Sequence, residues 1–374
     1  MHSFEILGHP VYSGPNSLSR LGEICVGTAP AATYAIVTDS GVAPHWLETA
    51  RAAIEHAAGR VVVEVVPAGE ASKSREEWAR LTDRLLARGC GRDTTIVALG
   101  GGMVGDLAGF VAATFMRGVA LVQVPTTLLA MVDASLGGKV AVDTPAGKNL
   151  VGAFHPAAAV VIDTRTLSTL PARQVRAGFA EILKHGAIRD AGFFATAARA
   201  AQRVADALAT DARPDWADSE LALVVERAAA IKAEIVAADP FERGRRALLN
   251  FGHTVGHALE HASEYAMLHG EAVAIGLTSE ALLGERLGLT VPGTARLLAE
   301  ALAAAGLPVS IPPGISSAVL LSVMRADKKQ RHGRPRFSLI ASVGHPIGDD
   351  ASGWTVEVPT DVVRSVLREQ GARD

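Results

Sequence analysis

Four of the twelve histidines, His253, His257, His261 and His269, fall within seventeen residues of the stretch "NFGHTVGHALEHASEYAMLHGEA". On a helix, positions i and i+4 share a face, so His253 and His257 point the same way and His261 follows one turn on. His269 comes after a break of about two turns. Imidazoles gathered like this suit a metal, and a catalytic zinc takes three protein ligands while leaving one position open. The third ligand need not be local. Glu181 in "AGFAEILKHGAI" is a candidate carboxylate, with Lys184 about one turn further along. The His-x-x-x-His spacing is that of a metalloprotease helix, but Thr254 stands where that chemistry requires a glutamate base. A metal is expected, and peptide hydrolysis is not. A single histidine on a helix is more often structural or exposed; four in this window, two of them after glycine, favour ligation.

A second chemistry is written in "GGGMVGD", where Gly100, Gly102 and Gly105 satisfy G-x-G-x-x-G between a strand and a helix. Glycines let a backbone approach a pyrophosphate, and a helix N-terminus offers unpaired N–H groups and partial positive charge. No acid ends the following strand, "VALVQVPTT", where a ribose would be held; Asp39, ending an earlier strand, is the substitute. The bland alternative is a tight turn with no ligand.

Cations and amides form a third group. Arg117, Lys139, Lys148, Asn149, Lys184, Lys232 and Arg246 each lie in or beside an apolar or glycine-rich stretch, and Asp133 sits among them in "AMVDASLGG". Buried cations need anionic partners. Any one of them is explained by snorkelling or a structural ion pair. As a set they suggest a polyanionic ligand.

These residues must be positioned by two kinds of structure. Up to about residue 170, apolar runs such as "TYAIVTD", "RVVVEVV", "TTIVALG" and "VALVQVP" alternate with helical patterns at Ala43 to Ala58 and in "DLAGFVAATFM". That alternation implies a largely parallel sheet with helices on its faces. Beyond Pro171, "LPARQVRAGFAEILKHGAI", "ELALVVERAAAIKAEIVAAD" and "TVGHALEHASEYA" carry helical periodicity, and "RPRFSLIASVG" reads as one late strand. The expected division is an α/β domain over 1–170 and a mainly helical domain over 171–374.

Composition narrows the classes. The chain has 374 residues, 49% of them hydrophobic, and a net charge of −3, which gives no electrostatic reason to expect nucleic acid or an anionic membrane. Cys25 and Cys90 are isolated, so neither a disulfide framework nor a thiolate metal site is expected. Glu5 interrupts the place of a signal peptide's apolar stretch, and no apolar run reaches the length of a membrane span. A cytoplasmic protein is expected.

The stretches "GGGMVGDLAGFVAATFMRG", "VPTTLLAMVDASLGGKVAVDTPAGKNLVGAFH", "AGFAEILKHGAI", "RALLNFGHTVGHALE" and "LHGEAVAIG" resemble the 3-dehydroquinate synthase family of the sugar phosphate cyclases. The resemblance runs in order from about Asp39 to Gly344. It implies a Rossmann-like NAD-binding α/β domain and a helical metal-binding domain, with Zn2+ or Co2+ held by Glu181, His253 and His269. By the same resemblance NAD is held by Asp39, Glu70, Lys73, Gly102, Met103, Val104, Gly105, Asp106, Thr126 and Thr127, with Lys139 and Lys148 beside them. Asp133, Lys139, Asn149, Lys184 and His257 match catalytic positions, and Lys232, Arg246, Asn250 and Lys328 match substrate-binding ones. Arg117 also matches a substrate position and in the family reaches in from a second subunit, so a homodimer is implied.

The implied reaction converts 3-deoxy-D-arabino-heptulosonate 7-phosphate, a phosphorylated sugar acid, to 3-dehydroquinate and phosphate. It runs through transient oxidation by NAD, phosphate elimination, re-reduction and an intramolecular aldol closure. Another cyclase, an aminodehydroquinate or 2-deoxy-scyllo-inosose synthase, would share most of these motifs. A metal-dependent alcohol or glycerol dehydrogenase would share the two-domain plan but not the cations, and a non-catalytic NAD-binding protein would be expected to lack part of the metal set.

Overall fold

The computed structural model describes residues 2–210, 212–326 and 335–374. Lys328 lies outside them. The chain divides into two compact units: Met1–Pro171 with Asp215–Ala233, and Ala172–Pro214 with Glu234–Asp374.

The first unit is built on a seven-stranded sheet. Its strands are β1 (His2–Ile6), β2 (His9–Ser13), β3 (Thr33–Asp39), β4 (Arg60–Val66), β5 (Thr94–Gly100), β6 (Ala120–Pro125) and β9 (Ala159–Ile162). They are ordered β1-β2-β9-β6-β5-β3-β4, parallel throughout except for the β1–β2 hairpin at one edge. The sheet is buried on both faces, which is why its central strands are continuous apolar runs. Alternate residues go to opposite cores. Ala35, Val37, Ile96, Ala98 and Leu121 pack with helices α3 (Arg75–Ala87) and α4 (Gly102–Thr114). Tyr34, Ile36, Val97, Leu99 and Val122 pack with α1 (Leu21–Thr28) and α2 (Glu48–Ala58). The helical stretch expected from Ala43 to about Ala58 is present, its first turn Ala43–Leu47 wound as a π-helix that leads into α2. A separate antiparallel hairpin, β7 (Lys139–Thr144) and β8 (Gly147–Phe154), packs Val140 and Val142 into the α4 side.

Helices dominate the second unit: α5 (Ala172–Arg189), α6 (Ala191–Ala209), α8 (His253–Ala262), α9 (His269–Arg286), α10 (Thr294–Ala304), α11 (Ser317–Ala326) and α12 (Thr360–Glu369). Between them in the chain, α7 (Ser219–Ala238) runs through the residue at which the units divide. α5 is buried without interruption from Ala177 to Ile188, so it is a core helix rather than an amphipathic one. Glycine sets the helix spacing. A Cβ on Gly270 would lie 1.9 Å from the Ala177 carbonyl oxygen of α5, and one on Gly276 would lie 1.9 Å from that of Gly252. The single late strand expected from "RPRFSLIASVG" is two short ones: Arg336–Phe337 pairs with Val356–Glu357, and Ile340–Ser342 with His345–Pro346. Between them the Ser338 hydroxyl donates to the Ala247 carbonyl. Among the described residues, no helix is long and apolar enough to cross a membrane.

Candidate metal centre and dinucleotide loop

The close passage of Gly270 over Ala177 places the first residue of α9, His269, against the turn of α5 that carries Glu181. α8 delivers His253 at its own first position, following Gly252 in the left-handed conformation (φ 83°). Glu280, buried on α9, fixes that helix start: its carboxylate accepts from Gly252 N at 2.7 Å and Val255 N at 3.0 Å. Burial pushes Glu280 up to about 8, against the pull of these backbone N–H groups.

Glu181 Oε1 then lies 3.5 Å from His253 Nε2 and 3.4 Å from His269 Nε2. These are long for hydrogen bonds; Oε2 is ion-paired with Lys184, and Oε1 is buried without a hydrogen-bond partner. Tetrahedral ligands with bonds of about 2.0–2.1 Å stand about 3.4 Å apart. One carboxylate and two imidazoles with that separation fit a divalent ion such as zinc or cobalt, the donor set grouped within 4.8 Å here. His257 is exposed and neighbours the set, its ring centroid 5.2 Å from that of His253. His261 stands off with Tyr265, exposed, and does not join it.

Charge is distributed unevenly across the centre. Burial opposes the Glu181 carboxylate, but the Lys184 ammonium paired with it and the two imidazoles hold it well below the usual carboxylate range. Burial and the same ammonium push His253 well below its ordinary value. Burial also works against a charge on His269, yet the neighbouring Glu181 and Glu260 carboxylates raise it to about 10. Lys184, 1% exposed, also donates to the Leu249 carbonyl at 2.8 Å. That carbonyl belongs to the short turn Arg245–Asn250, which carries Arg246 and Asn250. Arg246 is buried and donates from Nη1 to Pro240 O at 2.7 Å, while Asn250 Nδ2 donates to Glu242 Oε1 at 3.1 Å.

In the first unit the glycine loop lies between the end of β5 and the start of α4, whose N-terminus has no side-chain cap. A Cβ on Gly105 would meet Gln123 Oε1 at 2.8 Å, so that glycine lets α4 pack close against the β6 side chain. The sheet order explains the role expected of Asp39: β3 is the other neighbour of β5, and Asp39 ends it, accepting from Gly41 N at 2.7 Å and Val42 N at 3.0 Å. Thr126 N donates to Gly100 O at 2.9 Å, and its buried hydroxyl oxygen has no hydrogen-bond partner. Thr127 packs against Gly101. Uncapped amides, an orphaned hydroxyl and an acid at the strand ends fit a dinucleotide.

Beside the loop, buried Lys73 pairs with Asp106 at 2.6 Å and lies 3.7 Å from Glu70 and 3.9 Å from Asp143. Lys148 reaches Glu70 at 3.8 Å. Met103 and Val104 lie in the first turn of α4, Val104 buried and Met103 packed on the core. Lys232 donates to both Oδ1 and the carbonyl of Asp133, each at 2.6 Å. Burial thus holds for Lys184, Lys232 and Arg246, whereas Lys139, Asn149 and Arg117 are exposed, the last two at φ 57° and 70°. Sequence reasoning passed over Asp143, Glu260 and Glu280. Glu260 alone had a signal, seven residues after His253 and so on the same helical face.

Profiles of the N-terminal and C-terminal 3-dehydroquinate synthase domains match residues 63–177 and 178–330. The 3-dehydroquinate synthase of Symbiobacterium thermophilum is 44% identical over 356 residues, covering 93% of this chain and 97% of that protein. Among solved structures, 2-deoxy-scyllo-inosose synthase complexed with carbaglucose-6-phosphate, NAD+ and Co2+ superposes with a TM-score of 0.84 at 26% identity, over 99% of this chain and 100% of that one. The 2-epi-5-epi-valiolone synthase of Streptomyces hygroscopicus subsp. jinggangensis, with NAD+ and Zn2+ bound, superposes at 0.85 and 25% identity, over 100% and 99%.

Proposed function

The chain belongs to the 3-dehydroquinate synthase family, and we propose that it converts 3-deoxy-D-arabino-heptulosonate 7-phosphate to 3-dehydroquinate and phosphate, a carbon–oxygen lyase step of aromatic amino acid biosynthesis. The convergence of two imidazole Nε2 atoms on Glu181 Oε1 carries this reading. The first unit is the NAD-binding domain and the second the metal-binding one. When bound, NAD would supply transient hydride acceptance, and the divalent ion would supply Lewis-acid polarisation of a substrate hydroxyl.

The chain's own residues do the rest. Glu181, His253 and His269 hold the ion, and Lys184 keeps the carboxylate ionised. Asp39, Glu70, Lys73, Thr126, Thr127 and the Gly102–Asp106 turn hold the dinucleotide, with Lys148 tied to Glu70. Arg246 offers a planar fork to the substrate carboxylate, assisted by Asn250. Lys139, Asn149 and His257 are assigned to binding the phosphate, which takes up the proton itself as it leaves. Lys232, fixed by Asp133, is assigned with Lys328 to balance about three substrate charges, two of them on the phosphate.

The exposure of Leu150 (48%), Val151 (38%) and Phe154 (51%) along β8 supports an assembly with a second copy, to which Arg117 would contribute. We place the enzyme in the cytoplasm.

The test is purified protein, metal and substoichiometric NAD with heptulosonate 7-phosphate, following phosphate and the cyclic product. Many turnovers per NAD are expected. One NADH accumulating per product would point to a dehydrogenase instead. Chelation should abolish turnover, and zinc or cobalt should restore it.

A further inference from the structure

His269 uses its two ring nitrogens in opposite directions. Nε2 faces Glu181 Oε1 at 3.4 Å, and Nδ1 faces Glu260 Oε2 at 3.1 Å. One imidazole cannot aim both nitrogens at a single ion. Glu260 therefore stands behind the ring, although it groups with His257 and His269 as a potential donor set of its own. His253 is built on the same plan with a weaker partner, its Nδ1 lying 3.2 Å from the Phe251 carbonyl oxygen. A carboxylate accepting from Nδ1–H fixes the tautomer and makes the opposite nitrogen a better donor than a neutral carbonyl would. Glu260 is itself buried, 8% exposed, near the end of α8, nine residues before His269 opens α9.

We propose that Glu260 is a positioning residue of the metal centre: it locks the His269 ring with Nδ1 protonated, so that the Nε2 lone pair faces Glu181 and His253. The proposal rests on reading Glu181, His253 and His269 as the metal ligands. Three consequences separate it from a merely structural contact between α8 and α9. Loss of Glu260 weakens metal binding even where the fold survives. It alters the ligand field of the bound ion, because His269 rotates or changes tautomer. An uncharged acceptor of the same shape recovers part of the effect.

The experiment uses the full chain, stripped of metal and titrated with Co2+ in competition with a chelator, with the visible Co2+ absorption recorded at saturation. Glu260→Ala should bind Co2+ about 10- to 100-fold more weakly and show a shifted visible band. Glu260→Gln, whose amide oxygen can still accept from Nδ1–H, should fall between Ala and the wild type. It also carries the test if the alanine variant does not fold. Glu181→Ala is run alongside. Wild-type affinity and spectrum in both Glu260 variants, with loss in Glu181→Ala, overturns the positioning role and leaves the metal centre standing. Wild-type Co2+ affinity in Glu181→Ala overturns the metal centre itself.

Discussion

Gly270 lies so close to Ala177 that a methyl group on it would fall 1.9 Å from the Ala177 carbonyl oxygen. This passage brings α9 onto α5 one turn from Glu181, so the distance between two of the proposed metal ligands is set by an absent side chain. Gly270→Ala must push the helices apart. The expected loss is about 1–3 kcal/mol of stability from overpacking, with metal affinity reduced in parallel. Gly27→Ala on α1, where a Cβ would meet nothing within 4 Å, is the control and should be neutral or stabilising. Urea unfolding and Co2+ titration of both variants check this.

Lys184 is the counter-charge that makes a buried Glu181 tolerable while the ion is away. In chelator-treated protein, Lys184→Met should cost about 3–5 kcal/mol, because one half of a buried pair is left alone. Zinc should then raise the unfolding midpoint more in the variant than in the wild type, since the ion replaces the missing positive charge. Equal zinc-induced shifts in the two proteins would contradict this.

Asp106 gives the pH dependence. Burial pushes it up to about 6, with Lys73 pulling the other way. A carboxylate raised above its unfolded value near 3.9 holds its proton more tightly when folded. Its stabilising contribution is therefore full below about pH 4 and lost as pH rises through about 6. Relative to Asp106→Asn, the wild type should lose up to about 3 kcal/mol across that window. Denaturation of both proteins between pH 4 and 7 measures the difference.

If Arg246 binds the substrate carboxylate as proposed, Arg246→Ala leaves that carboxylate without its partner at a buried position. The expected cost is about 2–4 kcal/mol, or roughly 30- to 1000-fold in kcat/KM, and Arg246→Lys should recover only part of it. Glucose 6-phosphate and sedoheptulose 7-phosphate, which lack the carboxylate, should be poor substrates for the wild type. Cyclisation of either at a rate equal to that of heptulosonate 7-phosphate would move the assignment to another member of the cyclase superfamily.

Some of this was legible in the residues alone. β3, β5 and β6 announce themselves because strands covered on both faces have no reason to alternate. Asp39 stands out in the sequence because no acid ends β6, and the sheet order puts β3, which Asp39 ends, beside β5. The β7–β8 hairpin was hidden: "GGKVAVDTPAGKNLVGAF" looks like a glycine-rich loop, and β8 exposes most of its residues, which removes the usual apolar pattern. The buried cations were singled out as a set, yet nothing in sequence separates Lys184 and Lys232, which found internal carboxylates, from exposed Lys139. Glu280 could not be found from its neighbours in the chain. It acts on α8 from α9, and only the crossing of Gly276 over Gly252 brings it there.

The first unit is discontinuous, and that has a consequence for how the protein is made. Its last segment, Asp215–Ala233, supplies the Lys232 ammonium that neutralises Asp133. Between Pro171 and Ala233 the ribosome adds 62 residues, roughly 3–12 s of synthesis. For that interval the nascent sheet unit lacks the Lys232 ammonium that Asp133 meets in the finished chain. A gene cut after residue 171 would leave it in that condition permanently. A fragment meant to fold as the sheet unit must carry 215–233 too, supplied in trans or spliced on by a short linker.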